Sequence, residues 1–422
     1  MINYSQALER LSEHVRPFRG EMCVLAEACG RVLAGGVNSP IDLPSFDHAA
    51  MDGYALRSSD SLAPGSEHVV GGSQAAGDVA AGVMSVACEI MTGAQLPEGL
   101  DTVVPVECTQ LLAQGGDGKP ARIRLQETVM PGANVRRAGS DVAAGARVLG
   151  AGLRIEPSHV MLLAALGVPR VEVARQPRVA IVCTGKELQP DLGQPLAQER
   201  IYNSNGPYLC AAVAAMGGLV LSCDTVDDTA DSYAEAVQRA REAGADLIMS
   251  TGAVSMGRYD FVPDTLQRLG AELLFHKVAM RPGKPLLAAR LDDGALVLAL
   301  PGTPMAVAVG FRFFAVPVLR AMLGMGREMT WHANLETPQQ PRPGLRHFLR
   351  ATLALDAEGR LHATVAGPQQ PFRIQPFADA GAWVILPEDA GECPAGTKVE
   401  IASLHPGQKL ALASTALLGA LA

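Results

Sequence analysis

No two cysteines in this 422-residue chain have the CxxC spacing. Cys23, Cys29, Cys88, Cys108, Cys183, Cys210, Cys223 and Cys393 stand singly, several inside apolar strand or helix patterns. That excludes the common zinc and redox motifs and points to buried, reduced thiols. An excess of positive charge is also lacking. The 35 basic and 43 acidic residues leave a net charge of −8 and a pI near 5.6. A general nucleic-acid or membrane-surface role is therefore excluded, and any anionic ligand has to be held by local groups. Runs of about 18 uncharged apolar residues are missing too, so no membrane span is expected. MetIleAsnTyrSer opens into an amphipathic helix instead of a basic-plus-apolar leader, which predicts a soluble, unprocessed, cytoplasmic protein. No repeat of fixed period occurs, and the length calls for two to four domains.

What the chain does contain is a series of changes in texture. Residues 4–16 read as an amphipathic helix closed by Pro17, and 21–34 as a second helix. From 41 to 144 glycine, proline and short β-runs dominate (HisValValGlyGly, ThrValValProVal, AlaArgIleArgLeu), the mark of an inserted β-rich domain. A helical stretch at 156–167 and a ValGluValAla strand lead to residue 177. Past ProArgProGly (341–344), PheLeuArgAlaThrLeuAla, TrpValIleLeu and LysValGluIle predict a small C-terminal β-domain.

Between these regions the pattern alternates. ArgValAlaIleValCys (178–183) is a β-branched run fit for burial on both faces, and it ends in Thr184, Gly185, Lys186 and Glu187. A helix of small residues (204–216) stops at Gly217, LeuValLeuSerCys leads to Asp227 and Asp228, and a helix over 231–243 stops at Gly244. AspLeuIleMetSer then opens SerThrGlyAlaValSerMetGlyArgTyrAsp (250–260), where Gly252 and Gly257 let backbone approach a ligand and Ser255 and Asp260 add oxygens. LeuValLeuAlaLeu (296–300) ends in Pro301, Gly302, Thr303 and Pro304, before an apolar helix to about 323. Successive βαβ units build a mostly parallel sheet, whose ligands lie beyond the carboxyl ends of its strands.

Eight motifs occur in order: AlaMetAspGlyTyr (50–54), MetThrGlyAla (91–94), AsnValArgArgAlaGlySerAsp (134–141), CysThrGlyLysGluLeu (183–188), IleTyrAsnSerAsn (201–205), the 251–260 segment, PheHisLysValAlaMetArgProGlyLysPro (275–285) and LeuProGlyThrPro (300–304). Together they resemble the molybdopterin molybdenumtransferases, the bacterial MoeA proteins and the E-domain of gephyrin. The resemblance covers nearly the whole chain. It implies a multidomain α/β plus β protein: an elongated N-terminal helical region (1–40 and 145–176), the inserted β-rich domain (41–144), a three-layer α/β molybdopterin-binding domain (177–326) and a C-terminal β-domain (327–422).

The activity implied is the last step of molybdenum cofactor synthesis, in which adenylylated molybdopterin and molybdate give the metallated cofactor and AMP. Both substrates are anions, so their charge has to be neutralised. Backbone N–H groups of Gly185, Gly252, Ser255 and Gly257, with the turns at Pro301 and Pro304, are the expected phosphate and substrate contacts. Lys277, Arg281 and Lys284 supply three cations within eight residues. A solvated basic turn is the plain alternative, which the rigid ProGlyLysPro turn disfavours. Mg2+ or another divalent cation bridging the pyrophosphate needs oxygen ligands, and Glu187, Asp228 and Asp260 stand at the ends of three strands. Each could equally be a helix N-cap. Asp52, Thr92 and Asp141 read as turn residues from their own surroundings; the resemblance alone makes them catalytic candidates beside the three strand-end acids. It also implies a homodimer, and partnership with the molybdopterin adenylyltransferase and molybdoenzyme maturation factors.

The chain departs from the family pattern at four places. Lys186 stands where Asp is usual, Ala253 where a second Gly is usual, and Thr303 where Asn is usual. Ala253 fits its tight loop only at negative φ. The family's GlySerGly segment is replaced by GlnProPheArgIleGlnPro (370–376), in which Arg373 offers an anion contact. These departures leave two further readings open: a non-catalytic molybdopterin-binding scaffold, and a transferase for another oxyanion such as tungstate.

Overall fold

The computed structural model describes residues 1–254 and 261–404, with Leu410 and Leu412. Two compact units result: Met1–Glu21 with Gly30–Ala34 and Val173–Ala422, and Met22–Cys29 with Gly35–Glu172.

In the first unit six strands form one sheet, numbered here β1 (Arg178–Thr184), β2 (Leu219–Val226), β3 (Leu247–Thr251), β4 (Glu272–His276), β5 (Leu287–Arg290) and β6 (Leu296–Leu300). Their order is β2-β1-β3-β6-β5-β4. The first four are parallel, and β5 and β4 close the edge antiparallel. The run 179–184 is wholly buried because both faces are covered. Val179, Ile181 and Cys183 share one core with Leu209, Val213 and Phe311, while Ala180 and Val182 share the other with Tyr233, Ala236 and Val237. Covering both faces is what a parallel sheet requires.

The crossovers are α1 (Asn205–Ala215) and α2 (Ala230–Glu242); α3 (Val262–Arg268) follows β3. Thr229 begins α2 by accepting the Ser232 N–H, and Gly244 at φ 76° ends its run. After β6, α4 (Pro304–Met322) carries a π-helical turn at Phe311–Ala315. By length and composition α4 could cross a membrane, yet 83 % of its most apolar window is buried inside the fold, as in a core helix.

Past α4, five strands close on themselves. Arg346–Leu355 pairs with Leu361–Val365 and Ala382–Leu386, Trp331–Leu335 with Leu361–Val365 and Lys398–Ser403, and the last two strands with each other. Leu335, Leu353, Val384 and Ile401 fill the interior of this small barrel. On its surface His362 lies between Glu336, with which it is ion-paired, and Asp356, 2.9 Å from Nε2. The hydrogen bond to Asp356, aided by the Glu336 charge, raises the His362 pKa above its ordinary value. Such a contribution to stability is complete below the unfolded histidine pKa of about 6.5 and is lost as pH rises through the higher folded value. Melting temperature is therefore expected to fall between pH 6 and 9, and His362→Gln should flatten that slope.

The second unit contains the β-rich sheet foreseen for 41–144, in the order Thr102–Pro105, Gly53–Leu56, Ala87–Ile90, Glu67–Gln74, Pro120–Leu125 and Thr109–Gln114. One expectation fails. Residues 21–34 do not form a helix: Gly20–Val24 is extended and only Leu25–Glu27 makes a 3₁₀ turn. The Leu25 N–H donates to the Pro169 carbonyl at 2.9 Å, a tertiary partner that replaces the helical one. All eight cysteines are free; Cys23, Cys88, Cys183 and Cys393 are buried, Cys108 and Cys210 are partly buried, and Cys29 and Cys223 are exposed.

Candidate functional site

The carboxyl ends of β1, β3 and β6 come together through their glycines. Thr184 donates its hydroxyl to the Thr251 carbonyl at 3.1 Å, and the Gly252 N–H donates to Leu300 at 3.0 Å. At φ 98° Gly252 lies so close to β1 that a Cβ there would stand 2.4 Å from Thr184 Oγ1 and 2.8 Å from its carbonyl oxygen. A Cβ on Gly302 would be 3.5 Å from the Gly252 Cα. These turns therefore present bare backbone on a common edge, beside half-buried Pro301 and Pro304. Ser255, Gly257 and Asp260, expected at the same edge, lie outside the described residues.

Ala253 corrects the expectation of negative φ. It sits at φ 49°, in the left-handed region. For a residue with Cβ this costs about 1–2 kcal/mol. Ala253→Gly removes that cost while adding about 0.4–1 kcal/mol of unfolded-chain entropy. A net gain of about 0.5–1 kcal/mol is expected by denaturant titration.

Two of the three strand-end acids are described, and neither is a helix cap. Thr229 takes that role for α2, leaving Asp228 free to accept the Lys186 N–H through Oδ2 at 3.2 Å. Glu187 bends back over Gly185, where a Cβ would be 2.8 Å from Oε1 and 2.9 Å from Oε2. After Glu187 the chain enters the short strand Leu188–Gln189 instead of a helix. Both carboxylates are exposed. As two hard oxygen donors at neighbouring strand ends they fit a divalent cation as part of its ligand set. Among the described residues no group of three or more His, Cys, Asp or Glu is arranged to hold a metal. Lys186 reaches Asp228 through its backbone only, a link that any residue type except proline can make.

Burial grades the cations. Lys277 is half-buried at φ 72°, whereas Arg281 and Lys284 are exposed. None forms an ion pair among the described residues, so their charge remains available to an anion. The 370–376 segment is docked at the start of α4, where the Met305 N–H donates to the Pro371 carbonyl at 3.0 Å. Arg350, 1 % exposed, bonds to the carbonyl of Arg373 in that segment at 2.6 Å and to the carbonyl of Pro368, just before it, at 2.9 Å. Arg373 itself is exposed.

In the second unit, Asp52 and Thr92 are joined. Asp52 Oδ1 accepts from both the backbone N–H and the hydroxyl of Thr92, each at 2.7 Å, and these bonds hold its carboxyl below the usual range. The adjacent glycine of AlaMetAspGlyTyr is required by packing, because a Cβ on Gly53 would lie 1.9 Å from the Val104 carbonyl oxygen. Asp141 is exposed in another turn of this unit, its N–H bonded to Leu43 at 3.0 Å.

Two asparagines escaped the reading of the sequence. Asn205 donates to the Gly302 carbonyl at 2.8 Å, and Asn203 donates to Thr225 at 3.0 Å while accepting the Gly206 N–H. Both are buried: Asn205 ties the start of α1 to the turn after β6, and Asn203 ties it to β2. The AsnSerAsn repeat at 203–205 was the available signal, since buried amides need fixed partners.

Family models match three consecutive parts of the chain: the MoeA N-terminal region (domains I and II) over residues 2–167, a probable molybdopterin binding domain over 180–321, and the MoeA C-terminal region (domain IV) over 332–404. The molybdopterin molybdenumtransferase of Synechococcus elongatus is 36 % identical over 414 residues, spanning 96 % of this chain and 100 % of the relative. Molybdopterin molybdenumtransferase 2 of Mycobacterium tuberculosis is 35 % identical over 411 residues, 93 % of this chain and 96 % of its own. Among solved structures, the molybdopterin biosynthesis MoeA protein of Pyrococcus horikoshii superimposes with a TM-score of 0.80 at 28 % identity, covering 96 % of this chain and 100 % of that one.

Proposed function

The chain belongs to the MoeA family of molybdopterin molybdenumtransferases, and from that premise we propose that it inserts molybdenum, taking adenylylated molybdopterin and molybdate to molybdenum cofactor and AMP. The observation that carries this reading is the strand-end edge, where the turns at Gly185, Gly252 and Gly302 meet the carboxylates of Glu187 and Asp228. Backbone N–H groups there bind phosphate oxygens without adding protein charge. Lys277, Arg281 and Lys284 draw in the anions, and Arg373 adds a contact from the 370–376 segment. Glu187 and Asp228, with Asp260, would hold Mg2+ or another divalent cation, which would neutralise charge on the pyrophosphate as AMP departs. Asp52, Thr92 and Asp141 complete the proposed catalytic set.

The same reading makes the protein a cytoplasmic homodimer, checked by sedimentation, with the four-domain division 1–40 plus 145–176, 41–144, 177–326 and 327–422. The molybdopterin adenylyltransferase, which makes the substrate, and molybdoenzyme maturation factors are its proposed partners. A non-catalytic scaffold is disfavoured, because relatives spanning 96 % of the chain are named as transferases.

Titration of the purified protein with adenylylated molybdopterin, molybdate and Mg2+, following AMP, tests the proposal. Stoichiometric binding without AMP release would refute it. The cations give a second test. Neutralising Arg281 or Lys284 should raise the apparent KM for the anionic substrate about three- to tenfold at low salt, and much less at 0.5 M salt, where exposed charges are screened. The half-buried Lys277 should lose less of its effect with salt. Equal effects at both ionic strengths for all three would point to packing instead of charge.

A further inference from the structure

The edge strand β4 contains an irregularity that its sequence does not announce. Leu273 pairs with Ala289 and Phe275 with Ala288, leaving Leu274 as an extra residue. Leu274 and Phe275 consequently both face the core that holds Leu286 and Phe314, and His276, opposite Leu287, is turned to the other face. A regular strand would have placed His276 with Leu274; a bulge re-aims it. On that face His276 Nε2 lies 3.0 Å from the carbonyl oxygen of Val254. A carbonyl cannot donate, so the ring supplies the proton from Nε2. Val254, 1 % exposed, is anchored in the core beside Val262, whose N–H in turn bonds to the Ala253 carbonyl at 3.3 Å. The next residue after His276, Lys277, takes φ 72° and sends the chain toward Arg281 and Lys284. One imidazole thus joins the turn after β3 to the start of the cation-bearing segment.

We propose that His276 is a positioning residue, whose Nε2–H bond to Val254 fixes the 252–254 turn against the segment carrying Lys277, Arg281 and Lys284. The neutral Nε2–H tautomer and the imidazolium both carry the proton on Nε2 that this bond needs. Its consequence for anion binding rests on the function proposed above; the bond itself does not.

Three substitutions test it. Gln places an amide N–H near the position of Nε2, Asn near Nδ1, and Ala supplies no donor. His276→Ala and His276→Asn should speed hydrogen exchange at the Val262 amide about tenfold, with His276→Gln within about threefold of wild type. In the AMP-release assay, KM for the anionic substrate should rise about tenfold for Ala and Asn with kcat within about twofold, and Gln should restore it. Gln behaving like Ala in the exchange measurement would overturn the proposal, as would wild-type exchange in the Ala variant or an Nδ1–H tautomer by nitrogen NMR. A wild-type protein that releases no AMP but shows the predicted exchange pattern would refute the function and leave the positioning role supported.

Discussion

Asp228→Ala should lower AMP release about 10²–10³-fold, the scale seen when one preorganised electrostatic group is removed from a reaction centre. Two roles meet in this carboxylate, and the companion variant separates them. Asp228 accepts the Lys186 N–H, and an Asn side chain can still do so through its amide oxygen. Asn cannot supply the negative charge that a divalent cation requires. Asp228→Asn is therefore expected to melt like wild type, to lose activity almost as fully as Asp228→Ala, and to need more Mg2+ for half-maximal rate. Near-normal turnover in Asp228→Asn would reduce the residue to a turn anchor and remove it from the proposed cation site.

Gly252→Ala is expected to damage the same edge through sterics. The new methyl would stand 2.4 Å from Thr184 Oγ1, which could rotate away, and 2.8 Å from the Thr184 carbonyl oxygen, which belongs to the fully paired strand β1 and cannot. The residue would also be forced to hold φ 98°. Backbone strain and overpacking each cost about 1–3 kcal/mol. A loss of about 2–4 kcal/mol, or about 5–10 °C in Tm, is expected. Gly302→Ala is the control from the neighbouring turn. Its nearest contact would be an ordinary 3.5 Å, so a change within about 0.5 kcal/mol is expected. Equal tolerance of both substitutions by thermal melting would show that the close approach of β3 to β1 is not what the glycine serves.

Much of this protein could be read from its residues because the signals are local. The β-branched run at 178–183 bears the mark of a strand buried on both faces, and the stretches that stop at Gly217 and Gly244 read as helices ended by glycine. Placing Thr184, Asp228, Gly252 and Pro301 at strand ends then followed from the parallel topology alone. The ordered motifs carried the family for the same reason: each is a contiguous string.

Tertiary structure decided what depends on partners distant in sequence. Residues 21–34 have helical composition, yet Leu25 bonds to Pro169, and a partner 144 residues away is invisible to a local pattern. Asp228 reads as a cap before a helix, but Thr229 satisfies the first turn, so the carboxylate turns to Lys186 in the turn after the neighbouring strand β1. Ala253 reads as a residue that would avoid positive φ, and the packing of Val254 and the Val262–Ala253 bond hold it there. The bulge at Leu274 has no composition of its own, because apolar residues suit either face of a sheet covered on both sides. Closure of the C-terminal strands into a barrel likewise depends on the pairing of Arg346–Leu355 with Ala382–Leu386, which no single strand's alternation encodes. Sequence determines which segments bury their side chains; the direction in which a polar group finds its partner is set only when those segments pack.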